Sequence, residues 1–269
     1  MGCDVLILGG DQRNKIALDL LKDQGRKVEY FSNEYRESQD AILDCVANTT
    51  CILLPTSVNE EEICHLSREQ ILKNCRSGTY LFCGTASKLW KLDAEQKKVD
   101  MVEFLNNETF AAENAYYTAE GAIVLAQEKR KSSMWFSRCV VVGSGRIAKA
   151  LCRMLKVHTP LVSVVARNPK IMAELSIEQI RCYSVSQQAS AFSRADVVFN
   201  TVPDNILNPA ALKEMNPLGL YVELASAPFG LSPENFPKSI ERIAGNGIPG
   251  RYFPNSAARS MVKAMTPYL

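Results

Sequence analysis

Histidine is scarce: the 269-residue chain has two, His65 and His158, far apart in sequence. Both are read as structural, His65 in a helical region of the first half and His158 in the turn after a later helix. No CxxC pair occurs, and a structural zinc site would need paired Cys or Cys/His at short spacing, so no metal is expected. The nine cysteines, Cys3, Cys45, Cys51, Cys64, Cys75, Cys83, Cys139, Cys152 and Cys182, are odd in number, and several lie in apolar strands. They are expected to be buried, reduced thiols of a cytoplasmic protein. No apolar run reaches the roughly 18–20 residues that cross a bilayer, so no membrane partner is expected. The opening residues run straight into an apolar strand without a charged leader, which reads as mature fold and not as a signal peptide. Excess charge of one sign is also lacking: 31 Lys+Arg against 29 Asp+Glu leave a net +2. With no basic block or stripe, nucleic acid is excluded as the main partner.

What is present is ordinary globular composition, 46% hydrophobic and 22% charged, in a length that suits one large or two medium domains. Short β-branched runs alternate with helical patterns throughout, the signature of an α/β chain with parallel sheets. Strands are expected at Asp4–Leu8, Lys27–Phe31, Cys51–Leu54, Thr79–Cys83 and Met101–Leu105, which together make a doubly wound first domain over residues 1–113. Asn114–Lys131 reads as an interdomain helix with Ala119, Ala122, Ile123 and Ala126 on one face. Strands then restart at Cys139–Val142, Leu161–Ala166, Asp196–Asn200 and Leu220–Leu224, giving a second domain over residues 132–250. Residues 251–269 carry a last helix that is expected to pack back on the first domain. The expected fold class is thus α/β, with two doubly wound parallel-sheet domains.

The strongest motif is Gly143-Ser144-Gly145-Arg146-Ile147-Ala148, a GxGxxA run directly after a strand and opening a helix. The first Gly permits the tight turn, the second lets a pyrophosphate approach the backbone, and the Ala allows close packing of helix on strand. The second domain therefore reads as a Rossmann dinucleotide-binding domain. An acid at the end of the next strand would hold the ribose 2′-OH of NAD; the chain has Ala166-Arg167-Asn168 there instead. A guanidinium suits the 2′-phosphate of NADP, which makes NADP the expected cofactor ahead of NAD. Asn200-Thr201-Val202-Pro203 and Glu223-Leu224-Ala225-Ser226 follow strands of the same sheet and should approach the nicotinamide. In the first domain, Gly9-Gly10-Asp11-Gln12-Arg13 follows the first strand, where a small anion could be held; a capped helix start with a solvated Arg fits those residues equally.

With these residues in place, the chain resembles the dipicolinate synthase A family over nearly its whole length. The resemblance rests on Gly9-Gly10-Asp11-x-Arg13, Asn114-Ala115-x-x-Thr118-Ala119-Glu120-Gly121-Ala122-Ile123, Gly143-x-Gly145-Arg146 and Asn200-Thr201-x-Pro203. It continues through Leu224-Ala225-Ser226-x-Pro228-x-Gly230 and Gly247-Ile248-Pro249-Gly250-Arg251-x-x-Pro254-x-x-Ala257. Arg251 stands where the family pattern has Lys, and Tyr116-Tyr117 where it has an aliphatic residue and Pro. The resemblance implies oxidation of a dihydrodipicolinate-type lysine-pathway intermediate to pyridine-2,6-dicarboxylate with NADP⁺, in the mother cell of a sporulating bacterium. It also implies a flavoprotein-like partner, dipicolinate synthase B, with self-association besides. Arg13 and Arg251 become candidates for clamping the two carboxylates of a small dicarboxylate substrate, helped by backbone N–H groups around Ser226 and Gly250. With no His available, Glu120 and Asp11 are the candidate proton acceptors, and water is a third. Two other readings stay open: a reductase of another cyclic imine or keto acid, and a non-catalytic NADPH-binding partner protein.

Overall fold

Strands made wholly of buried apolar residues need cover on both faces, and the chain supplies it by alternating each strand with a helix. The computed structural model describes residues 2–34, 37–59 and 62–269; Met1, Tyr35, Arg36, Glu60 and Glu61 lie outside the described residues. The chain divides into two units, residues 1–114 with 253–269, and residues 115–252.

In the first unit, β1 (Val5–Leu8), β2 (Val28–Phe31), β3 (Cys51–Leu53), β4 (Tyr80–Cys83) and β5 (Asp100–Glu103) form one parallel sheet in the order β2-β1-β3-β4-β5. Between them run α1 (Gln12–Asp23), α2 (Gln39–Ala47), α3 (Arg68–Asn74) and α4 (Lys88–Gln96). Side-chain oxygens of Asp11, Ser38, Ser67 and Ser87 cap their four amino termini, which fixes where each helix begins. Because successive strand residues point to opposite faces, Leu6, Leu8 and Ile52 pack with Trp90 on one side, and Val5, Ile7 and Leu53 on the other. That second face is completed from the far end of the chain by Met261, Val262 and Met265 of the C-terminal helix Pro254–Met265. Strand order reverses between β1 and β3, so a crevice opens at their carboxyl ends.

In the second unit, β6 (Cys139–Val142), β7 (Val162–Val165), β8 (Arg181–Tyr183), β9 (Val197–Asn200), β10 (Leu220–Glu223) and β11 (Glu241–Ala244) form a parallel sheet in the order β8-β7-β6-β9-β10-β11. This is the 3-2-1-4-5-6 arrangement of a Rossmann fold, with its switch point between β6 and β9. Helix α5 (Glu108–Arg130) leads in, its Ala119, Ala122, Ile123 and Ala126 buried with Leu151 and Leu155 of α6 (Arg146–His158). Helices α7 (Pro169–Ile177), α8 (Gln188–Phe192), α9 (Pro209–Leu212) and α10 (Ile248–Tyr252) follow.

The structure corrects several expectations. The helix expected over 114–131 starts at Glu108, because the Asn107 side chain accepts from the Phe110 N–H and caps it six residues earlier. The division expected after residue 250 falls after Tyr252: Ile248 of α10 is in the core of the second unit, and the helix starting at Pro254 is in the core of the first. His65 is not helical; Cys64 and His65, at φ 53° and 61°, form the two-residue turn between the short paired strands Glu62–Ile63 and Leu66–Ser67. The edge strands β8 and β11 were not foreseen. All nine cysteines are free, and burial pushes the Cys83, Cys139 and Cys152 thiols up to about 12, so they stay protonated and unreactive.

Candidate functional site

The turn after β6 is built for a close approach. Gly143 holds φ +119°, and a Cβ there would collide with Thr201 Oγ1, so the residue must be Gly. Thr201 in turn donates to the Val142 carbonyl, 2.8 Å, which locks the turn after β9 against the turn after β6. Two residues on, the surroundings invert. A Cβ on Gly145 would meet no atom within 4 Å, and α6 begins there with no side-chain cap. Backbone N–H groups at the first turn of α6 thus face open space across a glycine, the donor set that a pyrophosphate takes. Ser144 is half-buried and Arg146 exposed, whereas Ile147 packs partly against the core behind the turn and Ala148 is buried in it. These residues fit a dinucleotide phosphate.

At the end of β7, Arg167 is exposed and meets Asp204 at 3.4 Å, a surface pair that costs little to open. Asn168 is committed: its Oδ1 accepts from the Lys170 and Ile171 N–H groups and caps α7. Of the turn after β9, Val202 and Pro203 are half-buried or exposed at its rim. Asn200, expected to contact cofactor, is fully buried and turned inward; its Nδ2 donates to Glu223 Oε1, 2.6 Å, and to the Val202 carbonyl, 3.0 Å. Glu223, expected beside the nicotinamide, is likewise buried and faces Asn200 and Tyr221. The signal for this was available in part: an acid closing the apolar strand Leu-Tyr-Val-Glu has to be paired inside.

In the first unit, a depression of about 300 Å³ lies at the carboxyl ends of β1 and β3, lined in part by Gly10, Asp11, Asn33, Thr56, Ser57 and Cys64. Arg13 stands next to it. Its Nε donates to both Asp11 oxygens, 3.0 and 3.1 Å, and its Nη2 to Asp11 Oδ2, 2.6 Å, and Thr56 Oγ1, 2.7 Å. The guanidinium is therefore held in one orientation with Nη1 left over for an incoming carboxylate oxygen.

This pairing corrects the view of Asp11 as a base. Burial alone would raise its carboxyl, but the hydrogen bonds and charge of Arg13 outweigh that and hold it below its ordinary 3.8. A carboxylate so stabilised is a poor proton acceptor. Glu120 is exposed on α5, with no hydrogen bond or ion pair among the described residues to orient it. Gly250 is corrected too: its N–H donates to the Gly247 carbonyl, 3.1 Å, within the first turn of α10, and is not free for a substrate. Arg251 is exposed, its guanidinium over the Tyr252 ring at 5.6 Å, and it pairs with no carboxylate among the described residues. Ser226 is exposed in the loop after β10. Among the described residues no group of three His, Cys, Asp or Glu could hold a metal ion, and no helix is long and apolar enough to cross a membrane.

Residues 135–230 match a family described as putative NAD(P)-binding, the stretch that holds the turn after β6 and the residues after β7, β9 and β10. Over its full length the chain is similar to dipicolinate synthase A of Bacillus subtilis (strain 168), at 24% identity across 100% of this chain and 96% of that one. The crystal structure of dipicolinate synthase A from Bacillus halodurans superposes with a TM-score of 0.86 at 21% identity, covering 98% and 97% of the two chains. A D-isomer specific 2-hydroxyacid dehydrogenase from Lactobacillus delbrueckii ssp. bulgaricus, solved with NAD, has the same fold more distantly: TM-score 0.55, 12% identity, covering 98% and 95%. The resemblance to dipicolinate synthase A thus extends to sequence and fold, end to end.

Proposed function

We propose that this chain is an NADP-dependent oxidoreductase of the dipicolinate synthase A type, which oxidises a dihydrodipicolinate-type cyclic dicarboxylate to pyridine-2,6-dicarboxylate. The observation that carries the reading is the full-length likeness to dipicolinate synthase A. The open glycine turn at the start of α6 supports it independently.

In this reading the bound dinucleotide supplies a hydride acceptor. The ring gives up one hydride and one proton and becomes aromatic, so the protein needs chiefly to orient the substrate and neutralise its two carboxylates. Arg13 takes one of them through Nη1. Arg251, unpaired by any described carboxylate, takes another, and the exposed Ser226 hydroxyl is a further donor. With Asp11 tied to Arg13 and Glu120 out in solvent, water is the acceptor for the proton. Its Bacillus relatives are each one component of a synthase with more than one kind of chain, which supports a protein partner. We take that partner to be the flavoprotein-like dipicolinate synthase B, with self-association as well.

The test is absorbance at the NADPH band after mixing the chain with NADP⁺ and freshly generated dihydrodipicolinate, with and without dipicolinate synthase B. NADPH appearing together with the pyridine dicarboxylate is expected. Binding of NADP⁺ without turnover, even with that partner present, would remove the substrate assignment and favour a reductase or a cofactor-binding partner. Cofactor choice is tested separately. Arg167→Ala is expected to weaken NADP⁺ binding about tenfold and leave NAD⁺ unchanged, because one charge-assisted phosphate contact is lost. Equal loss for both cofactors would place the 2′-phosphate elsewhere.

A further inference from the structure

We infer that Glu223 is a positioning residue for the nicotinamide half of the dinucleotide site, acting through the loops that follow β9 and β10. The inference rests on the dinucleotide reading above and extends it to a residue that touches no ligand itself.

Strand register sets the geometry. Val142, Asn200 and Glu223 are partners across β6, β9 and β10, so they form one row along the carboxyl edge of the sheet, at the switch point and beyond it. In a Rossmann sheet the adenosine half lies over the strand that follows the glycine turn, here β7, and the second nucleotide lies over the other half, β9 and β10. The row therefore underlies the nicotinamide side.

Glu223 is 2% exposed and its two oxygens are filled. Oε1 accepts from Asn200 Nδ2, 2.6 Å, and from the Ala225 N–H, 3.2 Å. Oε2 accepts from the Tyr221 hydroxyl, 2.9 Å, and from the Gly230 N–H, 3.4 Å, and lies 3.6 Å from Arg242 Nη2. A carboxylate has about four lone-pair sites, so none remains for a substrate proton. Glu223 is thus no candidate base.

What it does instead is gather two segments. Ala225 and Gly230 are the two ends of the loop that carries Ser226, and both donate to the same carboxylate, which closes the loop upon itself. Asn200, held by that carboxylate, uses its remaining groups on both sides of Val202: Nδ2 donates to the Val202 carbonyl, 3.0 Å, and Oδ1 accepts from its N–H, 3.1 Å. The turn 200–203 and the loop 225–230 are therefore fixed by one buried group. Arg242 is itself held, 5.1 Å from the Phe229 ring and 5.7 Å from the Phe236 ring. It supplies the positive charge that a buried carboxylate needs.

Glu223→Gln tests this with little change in volume. Its amide must place N–H donors toward the Gly230 N–H and Arg242, or toward Asn200 and Ala225, so either orientation sets donor against donor. Dissociation constants are measured for two probes, NADPH and adenosine 2′,5′-bisphosphate, the second lacking the nicotinamide half. The variant is expected to bind NADPH about tenfold more weakly and the bisphosphate within about twofold of wild type. Equal loss for both probes would reduce Glu223 to a general structural role and overturn the inference, as would no loss for either. If wild type binds neither probe, the dinucleotide reading itself fails and takes the inference with it. If Glu223→Gln does not fold, Tyr221→Phe removes one donor to the same oxygen at nearly constant volume. Its ratio of the two constants is expected to shift about threefold, and an unchanged ratio overturns the inference.

Discussion

A valine at position 145 is expected to abolish dinucleotide binding, by about a hundredfold or more, in a protein that still folds. Gly145 has φ −79° and ψ −171°, backbone that any L-residue adopts, and its Cβ would meet nothing within 4 Å. The cost to stability is limited to replacing Gly by Val at a helix N-cap, at most about 1 kcal/mol. The cost to binding is large, because the branched side chain occupies the space through which a pyrophosphate reaches the first N–H groups of α6. Gly143→Ala is the contrasting control. At φ +119° and against Thr201 Oγ1 it strains the turn itself, so it should lower the unfolding temperature as well as affinity. Calorimetric titration with NADPH beside thermal unfolding separates the two. NADPH affinity retained in Gly145→Val would show that no phosphate lies over this turn.

Arg13→Ala is expected to lower kcat/KM for the dicarboxylate about a hundredfold or more without altering dinucleotide affinity. Two effects add. The carboxylate contact at Nη1 is lost, and Asp11, about half exposed, is left unneutralised beside an anionic substrate. Removing both partners should therefore be milder than removing one, with Asp11→Ala/Arg13→Ala regaining about tenfold over Arg13→Ala. The pH behaviour follows from the same pair. Asp11 titrates below 3.8 in the folded protein, so whatever its ionised form contributes is present above its unfolded value and lost as pH falls through the lower, folded one. Between about pH 5 and 9 the pair is constant, and Asp11→Asn should leave the shape of the pH–rate profile unchanged. A lost ionisation in that range would restore Asp11 as the base, and wild-type KM in Arg13→Ala would remove Arg13 from the substrate site.

The doubly wound pattern was legible because each central strand is a short apolar run that ends at a small or polar residue. The strands β8 and β11 escaped notice for a physical reason: they are the two edges of their sheet, where polar residues such as Arg181 and Glu241 interrupt the pattern. The glycine turn was readable because its neighbours in sequence decide it, a strand before and a helix after. Asn200 was not, since a polar residue closing an apolar strand reads equally as a ligand contact or as a buried partner. Only the position of Glu223, twenty-three residues later and alongside in the sheet, distinguishes the two. Asp11 and Arg13 are two apart, a spacing that does not bring side chains together on a helix. They meet because Asp11 sits outside the helix as its cap, in extended backbone. The spent N–H of Gly250 likewise required knowing that residues 248–252 turn into a helix.

The first unit is not contiguous in the chain: it opens with residue 1 and is completed by residues 253–269. A ribosome finishes the second unit when it reaches residue 252, while the face formed by Val5, Ile7, Ala17 and Leu21 still lacks Met261, Val262 and Met265. Domains generally mature in the order in which they are synthesised; here that order is reversed. The half made first waits for the last seventeen residues, and its unfinished apolar face is the one a nascent chain has to keep from sticking in the meantime.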